Sequence, residues 1–184
     1  TIEINKAGIA RTFQNIRLFS ELSVLDNVKV GLHNHYKYST IAGILRLPAY
    51  RKAEKEMDAK AMELLKVFNL QDEWDYKASN LPYGKQRKLE IARALATEPA
   101  FILLDEPFAG IDPIAVADIQ VLVKHLAKRG IGVLITDHNV RETLSIVDKA
   151  YILNEGKIMV EGPSEKVAAD PIARKYYLGK DFKM

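Results

Sequence analysis

Two adjacent carboxylates at the end of an apolar run are the clearest chemical feature of this sequence. Asp105 and Glu106 follow Phe101–Leu104, a run bounded by Pro99 and Pro107, which predicts a strand buried on both faces of a parallel sheet. Ligands bind at the carboxyl ends of such strands. Because side chains alternate along a strand, one carboxylate can hold a magnesium ion while the other orients a water. This layout indicates nucleotide hydrolysis.

The composition is that of a folded protein with one main core. The 184 residues allow one domain, or one core with a small appended subdomain, and 48% hydrophobic with 28% charged residues argues against disorder. No apolar stretch approaches the roughly 18 residues that cross a bilayer, and residues 1–20 lack the pattern of a signal peptide. Cysteine is absent, which excludes disulfides and fits the cytosol. A net charge of +3 is too small to indicate a nucleic-acid partner, and we expect none.

Hydrophobic periodicity and capping signals predict alternating strands and helices. In chain order, the predicted elements are strand 9–13, helix 24–33, a loop or broken helix over 36–50, helices 51–68 and 84–97, strand 101–105, a helix from 113 to about 130, strand 131–136, a hairpin over 149–161 and two short helices at 164–169 and 171–178. Asp112 followed by Pro113 is a strong helix start, and Asn139 is expected to cap another helix. The strand–helix–strand order over 101–136 predicts a right-handed crossover in a parallel sheet.

Four other segments accompany the acidic pair in a set order along the chain. They are Gln14, the Leu81–Gln86 segment directly before the helical stretch Arg87–Leu95, the Ala109–Asp112 segment, and His138 after strand 131–136. In this order they resemble the Q-loop, signature motif, D-loop and switch histidine of ABC transporter nucleotide-binding subunits. Asp105 then matches the Walker B aspartate and Glu106 the catalytic glutamate. The resemblance covers nearly all of the chain.

The resemblance implies a fold and a division of the chain. The fold would be α/β, the C-terminal part of a parallel-sheet P-loop ATPase core with an inserted helical subdomain. Residues 1–19 would end the N-terminal part of the core and carry the Q-loop. Residues 20–97 would form the helical subdomain with the signature motif. Residues 98–184 would supply the Walker B, D-loop and switch-histidine segments and the C-terminal helices.

The resemblance also implies roles in ATP hydrolysis, with ATP and Mg²⁺ as the bound groups. Phosphoryl transfer requires positioning and charge stabilisation more than covalent chemistry. Asp105 would bind magnesium directly or through water, and Gln14 would approach the metal or the water. Glu106 would polarise the attacking water, and His138 would contact the γ-phosphate. The remaining nucleotide contacts would come from Leu81, Gly84, Lys85, Gln86 and Asp112.

The sequence departs from the family pattern at two motifs. None of its ten glycines begins or completes the phosphate-binding Walker A pattern G-x-x-x-x-G-K-[ST], which in the family precedes the Q-loop. We therefore expect a larger subunit that lacks its N-terminal part here and is inactive in this form. The signature reads Leu-Pro-Tyr-Gly-Lys in place of Leu-Ser-Gly-Gly-Gln. Pro82 removes a hydroxyl and an amide, while Lys85 adds a positive charge.

The motifs resemble two transporter groups within the family. Ala10–Phe19 and Ala78–Leu81 resemble ATPase subunits of branched-chain amino-acid importers, which is our main interpretation. Pro107–Pro113, Ile135–Leu144 and Tyr177–Phe182 resemble the lipopolysaccharide-export ATPase, which is the alternative. A non-transport ABC ATPase of translation or DNA repair, or an inactive fragment acting as a binding module, are rivals of another class.

Partners and location follow from the resemblance. A second ATPase subunit would face the signature motif across a dimer. Transmembrane permease subunits would dock near Phe13–Leu22. The protein would lie in the cytoplasm, peripheral on the inner face of the cell membrane.

Charged and histidine side chains elsewhere have simpler interpretations. Lys85, Arg87, Lys88 and Arg93 are expected on the solvated face of helix 84–97, not in a nucleic-acid site. His33 and His35 are two residues apart and so fall on different helix faces, which argues against a metal site.

Overall fold

The computed structural model describes residues 2–36 and 40–178, which fall into two compact units. The first unit contains Thr1–Pro107 and Ile111–Thr136, and the second contains Phe108–Gly110 and Asp137–Met184. Part of the predicted loop (37–39) and residues 179–182 of the Tyr177–Phe182 motif lie outside the described residues. Within the described chain, no helix is both long enough and apolar enough to span a membrane.

Helices dominate the first unit. Its elements are α1 (Ile2–Lys6), β1 (Ile9–Arg11), α2 (Val24–Leu32), α3 (Thr40–Ile44), α4 (Pro48–Val67), α5 (Tyr83–Leu95), β2 (Phe101–Asp105), α6 (Pro113–Lys128) and β3 (Gly132–Thr136). Short 3₁₀ turns lie at His33–His35, Gln71–Glu73 and Ala78–Asn80.

The three strands form a parallel sheet in the order β1-β2-β3. The β2–α6–β3 connection confirms the predicted crossover unit, because β2 and β3 pair in parallel with α6 between them in sequence. Leu103 pairs with Arg11 and Asp105 pairs with Thr136. The register therefore places the ends of all three strands at one edge of the sheet.

The prediction of a strand buried on both faces is wrong. Ile102 and Leu104 are buried in β2, but Phe101 and Leu103 are only partly buried. In β3, Leu134 is 44% exposed, so this strand also has an open face. Side chains alternate along a strand, so the face of β2 that carries Ile102 and Leu104 is buried while its opposite face is only partly buried.

Helices α2, α4 and α5 pack together beside the sheet. Ser23 caps α2, since its hydroxyl accepts a hydrogen bond from the Asp26 amide at 3.0 Å. Helix α4 begins at Pro48, earlier than predicted, because proline is favoured at the first helical position. Helices α2 and α5 approach closely at Gly31, where an added Cβ would lie 2.5 Å from the Arg93 carbonyl oxygen.

The second unit is a hairpin with short helices. It contains α7 (Val140–Leu144), β4 (Lys149–Asn154), β5 (Lys157–Pro163), α8 (Ser164–Ala169), α9 (Pro171–Ala173) and a π-helical turn at Arg174–Leu178. The hairpin prediction is confirmed, because β4 and β5 pair antiparallel around Glu155 and Gly156. Both residues have positive φ, 47° and 74°, as the tight turns favoured in hairpins require. Leu144, Val167, Ala168 and Ala173 form its core.

Candidate functional site

Asp105 lies at the end of the central strand and accepts hydrogen bonds from both neighbouring strands. Arg11 Nη2 is 2.9 Å from Asp105 Oδ2, and Thr136 Oγ1 donates to Asp105 Oδ1 at 2.8 Å. The Arg11 guanidinium, followed by the Thr136 hydroxyl, lowers the pKa of the Asp105 carboxyl below its usual value. The side chain is therefore a carboxylate at neutral pH.

Glu106 is the residue at which the chain leaves β2. Its φ is 47°, a left-handed conformation that is uncommon for a residue other than glycine and concentrates at functional sites. Its amide donates to the Thr136 carbonyl at 2.7 Å. Gln14 Nε2 donates to Glu106 Oε2 at 2.8 Å. The structure thus brings together two side chains that are 92 residues apart and that the sequence predicted to share a site.

The loop that carries Gln14 is held by a buried ion pair of α5. Arg87 Nη1 donates to the Phe13 carbonyl at 2.7 Å and to Glu90 Oε2 at 2.9 Å, and Arg87 Nη2 donates to the Gln14 carbonyl at 2.7 Å. Glu90 Oε1 accepts from the Arg17 amide at 3.2 Å. The Arg87 and Glu90 side chains are 0% and 2% exposed.

The prediction that Arg87 lies on a solvated face of α5 is therefore wrong, because its side chain is buried. Its position gives the signal that was missed, since Arg87 lies at helical spacing between Gly84 and Ile91 in the buried stripe of α5. The other cations of this helix are also engaged within the chain. Lys88 forms an ion pair with Asp118 of α6, and Arg93 donates to the Arg17 carbonyl.

The signature segment is braced by its own side chains. Leu81 is buried, and its carbonyl accepts a hydrogen bond from Gln86 Nε2 at 2.8 Å. The Lys85 ammonium forms an ion pair with Glu73 in the turn after α4. Pro82 occupies the N-cap position of α5. The added charge of Lys85 is thus balanced inside the chain, and its predicted contact to a nucleotide stays a prediction.

Gly84 and Asp112 lie at the point where α5 meets α6. A Cβ added to Gly84 would lie 2.8 Å from the Ala115 Cβ and 3.6 Å from Asp112 Oδ2. Asp112 Oδ1 accepts hydrogen bonds from the Ile114 and Ala115 amides, each at 3.0 Å, which confirms the predicted helix start at Pro113. The first turns of α5 and α6 are therefore in close contact, and only glycine fits there.

His138 belongs to the second unit and follows the turn after β3. Asp137 shapes this turn, because its carboxylate accepts hydrogen bonds from the Phe108 amide at 3.0 Å and the Asn139 amide at 2.7 Å. Asn139 occupies the N-cap position of α7, but its side chain makes no capping bond. The prediction that Asn139 caps this helix is therefore wrong for its side chain.

The donor set at the sheet edge fits magnesium held together with a nucleotide. Within the described residues, no group of three or more His, Cys, Asp or Glu side chains could hold a metal alone. Mg²⁺ is commonly bound by one or two carboxylates together with substrate phosphates and waters. Asp105 supplies such a carboxylate, and the amide oxygen of Gln14 is a second hard donor, because the Gln14 nitrogen faces Glu106.

A family model described as ABC transporter matches residues 1–109. The chain belongs to this family. It is 46% identical to a protein of Azorhizobium caulinodans named "Probable ABC transporter ATP-binding protein", over 97% of this chain and 58% of the relative. The lipopolysaccharide export system ATP-binding protein LptB of Escherichia coli is 40% identical over 97% and 68%. The high-affinity branched-chain amino acid transport ATP-binding protein BraF of Pseudomonas aeruginosa is 36% identical over 97% and 70%.

Solved structures of ABC cassettes share the fold. The ADP conformation of MJ1267, an ATP-binding cassette of an ABC transporter, matches with a TM-score of 0.77 and 34% identity over 97% of this chain and 71% of that one. A dimeric post-hydrolysis state of the cassette MJ0796 bound to ADP and Pi matches with a TM-score of 0.73 and 26% identity over 89% and 66%. The predicted α/β ABC ATPase fold is confirmed, and the chain spans about three fifths of the Azorhizobium relative.

Proposed function

We propose that this chain is part of an ATP-hydrolysing subunit that drives an ABC transporter. The observation that carries the proposal is the contact between Gln14 and Glu106 beside the charged Asp105 at the carboxyl edge of a parallel sheet. Family membership and the ADP-bound and Pi-bound cassettes of the same fold support it.

The proposal gives a separate role to each of Asp105, Gln14, Glu106 and His138. Magnesium, when bound with ATP, neutralises the charge that develops on the phosphates. Asp105 would provide its protein carboxylate, and Gln14, whose side chain donates to Glu106, would act as an orienting amide. In the structure Glu106 accepts a hydrogen bond from Gln14. During hydrolysis it would accept one from the attacking water. His138 would contact the γ-phosphate.

A second subunit completes the proposed site. The first turn of α5, with Gly84 and Lys85, would face ATP bound to the partner, and Asp112 would lie beside it. The dimeric structure of the related MJ0796 cassette supports this arrangement. Because Lys85 already pairs with Glu73, its ammonium would have to be shared between Glu73 and a phosphate.

Permease subunits are the proposed membrane partners, which would place the protein on the cytoplasmic face of a membrane. The loop after β1 supports this, because Phe13, Phe19 and Leu22 are exposed apolar side chains on one short segment. Arg17 lies over the Phe13 ring at 4.4 Å, and Arg93 lies over the Phe19 ring at 5.4 Å. A surface of aromatic side chains with stacked arginines suits a protein partner.

The transported compound has two candidates. Branched-chain amino-acid import is our main interpretation, and BraF supports it at 36% identity. Lipopolysaccharide export is the alternative, supported by LptB at 40% identity. Co-purification of the permease subunits, followed by ATPase assays with leucine and its binding protein or with lipopolysaccharide, separates import from export by which addition stimulates turnover.

Phosphate release from Mg-ATP tests the proposed activity. The assay requires a subunit that contains this sequence together with a Walker A loop, since none of the 184 residues supplies that loop. Glu106→Gln should reduce turnover by about 100-fold or more, because an amide cannot act as a base. Glu165→Gln, a matched change at an exposed residue of α8, is the control and should leave turnover unchanged. Equal rates for both variants would reject Glu106 as the catalytic glutamate.

A further inference from the structure

Two side chains of helix α5 form hydrogen bonds with three main-chain groups of the Gln14 loop, the carbonyls of Phe13 and Gln14 and the amide of Arg17. We propose that Arg87 and Glu90 are positioning residues for hydrolysis, because they fix the loop that sets the Gln14 amide against Glu106. We call this pair the Arg87–Glu90 clamp. The proposal rests on the proposed function and deepens it by adding two residues that do not touch the nucleotide.

The hydrogen bonds of the clamp are directed at the loop backbone. The two terminal nitrogens of Arg87 donate to consecutive carbonyls, those of Phe13 and Gln14, both at 2.7 Å. Glu90 uses one oxygen for Arg87 and the other for the Arg17 amide. Planar guanidinium geometry allows two parallel contacts of this kind, whereas a lysine ammonium is a single point. The clamp therefore fixes both the position and the orientation of the loop backbone relative to α5.

Stability alone does not explain a buried ion pair at this position. Removing two charges from water is costly, and an apolar pair of similar size is often as stable. The Nε of Arg87 is also buried without a hydrogen-bond partner, which adds to the cost. Apolar side chains could fill the same space but could not bind the Phe13 and Gln14 carbonyls. The Arg87–Glu90 pair therefore has an energetic cost, and it lies where hydrogen bonds to the backbone define the conformation of the Gln14 loop.

The clamp and the reacting groups are joined through one residue. Gln14 is held at its carbonyl by Arg87 and at its side chain by Glu106. A shift of the loop backbone would move the Gln14 amide directly. Displacements of about 1 Å in a positioning group can cost up to about 100-fold in rate. Loss of the clamp should therefore lower kcat more than it changes the KM for ATP.

Arg87→Lys tests the clamp in a subunit that contains this sequence and a Walker A loop. The change keeps the buried charge but removes the fork, so kcat should fall roughly 10-fold with KM within about twofold. Lys88→Met is the matched control, because Lys88 is the next residue of α5 and contacts Asp118, not the loop. Its kcat should stay within about twofold of the parent.

A double-mutant cycle with Gln14→Ala separates positioning from a structural role. If the clamp acts through Gln14, Arg87→Lys should lower kcat by less than about twofold in the Gln14→Ala background. Independent, multiplicative losses would overturn the proposal, because the two residues would then act separately. A kcat for Arg87→Lys equal to that of Lys88→Met would overturn it as well.

The experiment distinguishes a folding defect, a failure of the proposed function and a failure of the clamp alone. If Arg87→Lys does not fold, Glu90→Gln is measured in the same cycle, since it keeps an acceptor for the Arg17 amide. Loss of the fold in both variants would overturn the proposal, because the pair would then be structural. A parent protein no more active than Glu106→Gln would reject the proposed function itself, and the clamp with it. An active parent with multiplicative losses rejects the clamp alone.

Discussion

Two physical explanations account for the glycine at position 84 of the signature segment, and the substitution Gly84→Ala tests them. One reason is close packing, because the new Cβ would lie 2.8 Å from the Ala115 Cβ. Carbon atoms pack at about 3.5–4.0 Å, so α5 and α6 would have to separate by about 0.7 Å or more. The other reason would be close approach of the α5 backbone to a phosphate on the partner subunit, as the proposed dimer requires. Both reasons predict a defect, but they respond differently to a second change.

The expected stability change combines two opposing effects. Overpacking a buried contact costs about 1–3 kcal/mol, while replacing a helical glycine by alanine gains at most about 1 kcal/mol. Gly84→Ala should therefore lower the free energy of unfolding by about 1 kcal/mol, measured by urea denaturation. Adding Ala115→Gly removes the clashing Cβ and should relieve most of the steric cost, apart from about 1 kcal/mol of helix propensity lost in α6.

ATP-dependent dimerisation then identifies the reason for the glycine. If packing alone requires it, the Gly84→Ala/Ala115→Gly protein should form ATP-bound dimers with nearly the parental Kd. If the backbone must also approach a phosphate, the double variant should stay defective although its packing is restored. An undiminished unfolding free energy for Gly84→Ala alone would refute the packing argument, since α5 and α6 would then have room for the methyl group.

Two further predictions concern ion pairs of the first unit. Arg11→Met should raise the pKa of Asp105 toward its usual value, as followed by NMR titration, because the guanidinium is the main cause of the lowered pKa. A carboxyl with a lowered pKa stabilises the fold above about pH 4 and loses this effect as the pH falls through its folded pKa, so the variant should narrow the stability difference between neutral and acid pH. Lys29→Met should destabilise the protein by about 1 kcal/mol in urea denaturation at pH 7, because Lys29 links α2 to Glu54 of α4 at 2.8 Å. Partial burial acts to lower the pKa of Lys29, but its acidic partners raise it overall, so this contribution should be present below about pH 10 and lost at higher pH.

Local chemistry explains which parts of the fold could be predicted from the sequence. Asp112 before Pro113 specifies a helix start through a side-chain cap and a fixed φ, and both operate within four residues. The Glu155-Gly156 turn is similarly local, because its two positive φ angles select the hairpin. The Gln14–Glu106 contact is not local, and only the family resemblance predicted that these residues share a site.

Contacts between distant segments explain what the sequence did not reveal. In the sequence, Arg87 is one of several cations on a charged helix. Its burial depends on hydrogen bonds to carbonyls of a loop that lies more than 70 residues earlier in the chain. The pairing of Lys85 with Glu73 likewise depends on how the turn after α4 packs beside α5. The open face of β3 could not be read from its apolar residues, because an apolar pattern does not show how many faces the rest of the chain covers.

The nucleotide content of the Glu106→Gln protein tests the central claim most directly. The measurement incubates a subunit that contains this sequence and a Walker A loop with Mg-ATP, isolates the dimer by gel filtration and identifies its nucleotide. If Asp105, Glu106 and Gln14 form the hydrolytic site of an ABC ATPase, the dimer should hold uncleaved ATP, whereas the parent should yield ADP. Equal conversion of ATP to ADP by both proteins would contradict the account, because hydrolysis would then not depend on Glu106.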